Sequence, residues 1–183
     1  MTWVYLHLIL NHFPVILTLV GTAGCIVGAA RKSRQAWEYG VITLAIAAAC
    51  SIPSWITGYQ AHYILENNLR VAEGVVEPHE LFAEGTMWFM FPMGALAFFA
   101  WWRANQEARR GPSPTWVRPA VLVAAAMGSI MLGITAFLGG RIRPFAPAAA
   151  PRTAADSAAA AQQSFQLIPL DTSRTGTGGA NVK

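Results

Sequence analysis

Four apolar runs, each long enough to cross a bilayer, constrain this 183-residue chain more than any other feature. A helix needs about 20 residues to cross a hydrocarbon core of about 30 Å. The first run extends from Trp3 to about Ala30, and the second from Trp37 to Tyr59 with a possible extension past His62. The third runs from His79 to Trp102, and the fourth from Trp116 to Gly140. Lipid offers no partner to an open strand edge, so runs of this length must be helical. The expected fold is therefore all-α: an integral membrane four-helix bundle over residues 1–143. The start of the chain has no charged n-region and no small-residue cleavage site, so the first run is expected to be retained as an anchor. Hydrophobic residues make up 54% of the chain and charged residues 12%. A soluble domain carries about 25% charge.

The loops set an orientation. Arg31, Lys32 and Arg34 lie between the first and second runs, and Arg103, Arg109, Arg110 and Arg118 between the third and fourth. The segment from Gln60 to Pro78 is acidic, with Glu66, Glu73 and Glu77 beside a single Arg70. Basic clusters favour the cytoplasmic side. The expectation is a multi-pass protein of a bacterial inner membrane with both termini outside. Arg141 and Arg143 run against the rule. Basic residues placed between apolar runs belong to a membrane protein, and nothing points to nucleic-acid binding. Trp3, Tyr5, Tyr59 and Tyr63 are expected at the outer interface, and Trp37, Trp101, Trp102 and Trp116 at the inner one. Gly24 and Gly28 form a GxxxG pair, and Ala125, Ser129 and Gly133 a small-residue stripe, both suited to close helix contact. Cys25 and Cys50 sit inside apolar runs without a CxxC motif and read as buried small side chains.

Residues 144–183 are rich in Ala, Pro, Ser, Thr and Gly. This composition reads as an extramembrane tail, disordered or held by a partner subunit, with an apolar patch from Phe165 to Leu170.

All four histidines, His7, His12, His62 and His79, fall towards the outer end of the runs. Ionisable side chains in a membrane are costly and mark function by default. Histidines on two facing helices can hold a haem iron from both sides. His7 and His12 are about 140° apart around a helix, so one metal cannot easily take both. His12 is the deeper, about 13 Å below the helix start. It is therefore the expected partner of His79, leaving His7 and His62 as a second pair or as interface residues. Arg141 and Arg143 suit haem propionates. Glu84, about 8 Å in from His79, suits a metal ligand, a proton carrier or an orienting group. Against these roles stand, for the histidines and arginines, ordinary amphipathic residues at headgroup level and, for Glu84, pairing with an external arginine.

The run from His7 to Pro14 resembles the His-x4-His-Phe-Pro signature of a family of predicted bacterial four-helix membrane proteins of uncharacterised function. Thr57-Gly58, His79 and Leu138-Gly139-Gly140 are similar to further motifs of that family. The resemblance covers residues 5–143. Some members are fused to Rieske or cytochrome c domains, which implies electron transfer in company with a separate redox protein. Two departures stand out: Leu8 in place of a proline, and a Glu within the third-helix motif. The leading expectation is a membrane haem b electron-transfer subunit near the periplasmic face, exchanging electrons with a periplasmic protein or a quinol. The alternatives are a cofactor-free accessory subunit of a larger respiratory or photosynthetic complex, and a small copper or zinc site of His7, His62, His79 and Glu80.

Overall fold

The computed structural model describes residues 2–68 and 73–142, the side chains of 65–75 excepted. The tail from residue 144, and Arg143 with it, lies outside the described residues. Five helices make four membrane-length spans. α1 (Thr2–Leu10) and α2 (His12–Ala30) form the first span, α3 (Arg34–Asn68) the second, α4 (Glu73–Arg110) the third and α5 (Val117–Gly140) the fourth. Each span packs on the next, and the fourth returns to the first. Spans 1 and 3 are thus diagonal neighbours, as are spans 2 and 4.

The second and third spans are longer than their apolar runs. α3 continues through the acidic segment to Asn68, and α4 starts at Glu73 and runs on to Arg110. Pro78 consequently sits inside α4 rather than in its first turn. Pro78 has no N–H, so α4 loses one hydrogen bond there, close to its N-terminal end.

Small residues set the closest contacts. A Cβ built on Gly28 would lie 2.5 Å from the Trp37 nitrogen, and one on Gly40 2.5 Å from that of Cys25. Spans 1 and 2 therefore meet backbone to backbone along the GxxxG face, the close approach that drives packing in lipid. The fourth-span stripe is used in part. Thr22 Oγ1 donates to Ala125 O at 3.4 Å and lies 3.1 Å from Ser129 Oγ, whereas a Cβ on Gly133 would meet nothing. Val41, Leu44, Met90, Val121 and Ala125 fill the centre. Trp37, expected in an interfacial belt, is instead 4% exposed, pressed onto Gly28.

Proline explains the break in the first span. Pro14 has no N–H, so the Leu10 carbonyl loses its intrahelical donor. Ser54 of α3 replaces it, its hydroxyl donating to Leu10 O at 2.9 Å. The helix is interrupted at Asn11, which keeps helical dihedrals of −66° and −19°. The chain direction hardly changes, and α1 stays docked on α3.

Candidate functional site

Two histidines at one end of the bundle are held in the same way. His7 Nδ1 lies 3.0 Å from Ser54 O on span 2. His79 Nδ1 lies 3.0 Å from Thr135 O on span 4. A carbonyl can only accept, so Nδ1 must carry the proton in both rings, and each Nε2 keeps its lone pair.

The rings rest on glycines four residues further along the same helices. A Cβ on Gly58 would lie 2.9 Å from His7 Cε1, and one on Gly139 2.9 Å from His79 Cε1. Any side chain at either position would push the imidazole out of its seat. The pattern is Ser54-x-x-x-Gly58 in span 2 and Thr135-x-x-x-Gly139 in span 4: a carbonyl that orients the ring and, one turn on, a gap that receives it. Hydroxyls brace both seats. Thr57 Oγ1 lies 3.4 Å from His7 Nδ1, and Thr135 Oγ1 lies 3.0 Å from Thr86 Oγ1. Spans 1 and 3 are diagonal, so the two half-buried rings come from opposite corners of the bundle, each seated on a different neighbouring span.

The other candidates are placed differently. His12 is exposed on the outside of the bundle, with Nδ1 2.6 Å from Leu8 O of its own chain segment. Of the two first-span histidines, His7 is therefore the one seated on a neighbouring span as His79 is, and His12 is not. The angle between His7 and His12 allows only one to face inward, and Ser54 and Gly58 receive His7. His62 continues the Ser54–Gly58 line by one further turn, and its Nδ1 lies 3.5 Å from Glu80 Oε2. Glu84 is exposed. Arg141 caps α5 two residues after Gly139, the glycine that seats His79, with an exposed side chain. No group of three or more His, Cys, Asp or Glu able to hold a metal ion forms among the described residues. The set of His7, His62, His79 and Glu80 is thus not drawn together as a copper or zinc cage.

The chemistry open to the pair follows from its donors. Two neutral imidazoles with free Nε2 lone pairs supply two nitrogen ligands. That is too few for a tetrahedral zinc site, whereas two imidazoles would suit the iron of a haem. Metal-ligating histidines almost always donate their other N–H to a carbonyl or carboxylate, which fixes tautomer and ring orientation. Ser54 O and Thr135 O already accept those N–H groups.

Ser54, Gly58, Thr135 and Gly139 were not singled out as seats by the spacing of the histidines. The signal was the repeat of a hydroxyl residue four before a glycine near the ends of both even-numbered spans. Compared with known protein families, with curated proteins and with solved structures, the chain matches none.

Proposed function

We propose that the protein is a membrane electron-transfer subunit that binds one haem b between His7 and His79. One observation carries this reading. Two histidines on diagonal spans each donate Nδ1–H to a main-chain carbonyl, each against a glycine, and each keeps Nε2 available. A bound haem would supply one-electron redox chemistry; the chain's own residues do the rest. Ser54 O and Thr135 O orient the imidazoles and raise their basicity as ligands. Gly58 and Gly139 provide the clearance that lets both rings lie flat against the neighbouring helices. Arg141, exposed at the same end as His79, would suit a propionate carboxylate. The site lies at the end of the bundle away from the basic loops, which assigns it to the periplasmic side if those loops face the cytoplasm. The partner in exchange is then a quinol or a periplasmic redox protein. The resemblance to four-helix proteins that occur fused to Rieske and cytochrome c domains agrees with this role.

The test is a reduced-minus-oxidised visible spectrum of the detergent-purified protein. A shifted Soret band with a sharp α band, lost in both His7→Ala and His79→Ala, supports the reading. A flat spectrum from a folded, haem-supplemented protein would falsify it and leave the accessory-subunit alternative.

A further inference from the structure

The opposite end of the bundle carries a second site, built from cations. Among the described residues, its two carboxylates are already engaged. Glu38 pairs with Arg34 at 2.6 Å, and Glu107 accepts from Ser113 Oγ at 2.8 Å. Arg34 also donates to Ala104 O, and Arg103 donates to Pro112 O. Five cations remain exposed without a carboxylate among the described residues: Arg31, Lys32, Arg109, Arg110 and Arg118.

Arg31, Lys32 and Arg118 are the three that stand on the chain segments meeting at Trp37. The end of α2 lies directly on it, through the contact of Gly28 with the Trp37 backbone. Arg31 caps that helix one turn later. Lys32, at a φ of 51°, turns the chain into the tight connection to α3, and Trp37 N closes it on Ser33 O at 3.1 Å. From the other side, the Arg118 guanidinium lies over the Trp37 ring, 5.4 Å from its centroid. A cation over an indole face is held in place without being neutralised. Ala30 and Val117 are the terminal residues of spans 1 and 4, so these charges stand at headgroup level, at the junction of two neighbouring spans.

We propose that Arg31, Lys32 and Arg118, around Trp37, bind the phosphate of an anionic phospholipid. Basic pockets between transmembrane helices bind anionic headgroups in this way. The planar, multiply donating guanidinium of Arg118 matches phosphate oxygens. The acyl chains descend along the outside of spans 1 and 4, where Ile26, Val27 and Val123 are exposed. This site is independent of the histidine site at the other end.

The experiment is native mass spectrometry of the full chain released from mixed micelles containing equal phosphatidylglycerol and phosphatidylcholine. The wild type is expected to retain phosphatidylglycerol several-fold over phosphatidylcholine. Lys32→Gln/Arg118→Gln is expected to bring the ratio close to one. Arg109→Gln/Arg110→Gln, which removes the same charge elsewhere at this end, is expected to leave most of the preference. Arg31→Gln, at an exposed connection where folding is not at stake, must lower the ratio as well. Three results would overturn the proposal: no preference in the wild type, equal loss in both double variants, or an unchanged ratio in Arg31→Gln.

Discussion

The two halves of the candidate site, His7 on spans 1 and 2 and His79 on spans 3 and 4, look alike but are built differently. Each has a ring, a carbonyl and a glycine in the same relation. In the His79 half the helices are continuous around the seat, and the Thr135 hydroxyl turns sideways to Thr86. In the His7 half the helix is broken by Pro14, and Ser54 has two tasks. Its carbonyl orients His7, while its hydroxyl satisfies the Leu10 carbonyl that Pro14 leaves without a donor. The same local solution therefore rests on a robust frame in one half and on a single serine in the other.

Ligand removal should have the largest effect and should not separate the halves. His7→Ala and His79→Ala are each expected to abolish six-coordinate haem binding, seen as loss of the sharp α band. An unchanged band in either would break the pairing. Filling the seats comes next. Gly58→Val and Gly139→Val put carbon where each ring lies and are expected to cut haem occupancy at least about tenfold, since a ligand ring moved by an ångström no longer reaches the metal. Haem per protein after purification reads this out, and full occupancy in both would show that the glycines are not seats.

A smaller effect should split the halves. Ser54→Ala strands the Leu10 carbonyl and is expected to cost about 1 kcal/mol, near the upper part of the range for single polar contacts in membrane bundles. Thr135→Ala loses the hydroxyl's bonds to Met131 O and Thr86 Oγ1 but strands no carbonyl that lacks its helical donor and keeps the carbonyl under His79, and should cost less, about 0.5 kcal/mol. Thermal unfolding in one detergent compares them, and a larger loss for Thr135→Ala would reverse the ranking of the two halves. The smallest effect belongs to His12→Ala, whose ring faces outward onto its own chain segment, with no change in spectrum.

The four spans, their helical nature and the gathering of all histidines at one end were legible in the sequence, because lipid enforces length and helicity. So was the close packing at Gly24 and Gly28, since small residues mark contact where hydrophobicity does not. Which first-span histidine turns inward was not legible. A helix apolar all round has no amphipathic phase to read, so the choice between His7 and His12 fell to depth, which favoured His12. The structure puts His7 inside because Ser54 and Gly58, far along the chain, receive it. A glycine's role as a seat likewise depends on the residue opposite, which no local pattern names. α3 extends past His62 as the sequence allowed, whereas α4 begins before His79 and ends after Trp102 because polar turns extend a helix beyond its apolar run.

The most direct test of the His7–His79 pairing is a haemin titration of purified His7→Ala beside His12→Ala, followed in the visible spectrum. The pairing requires His12→Ala to reach the wild-type six-coordinate end point with one haem per chain while His7→Ala does not. The reverse outcome, a spectrum lost in His12→Ala and kept in His7→Ala, would contradict it.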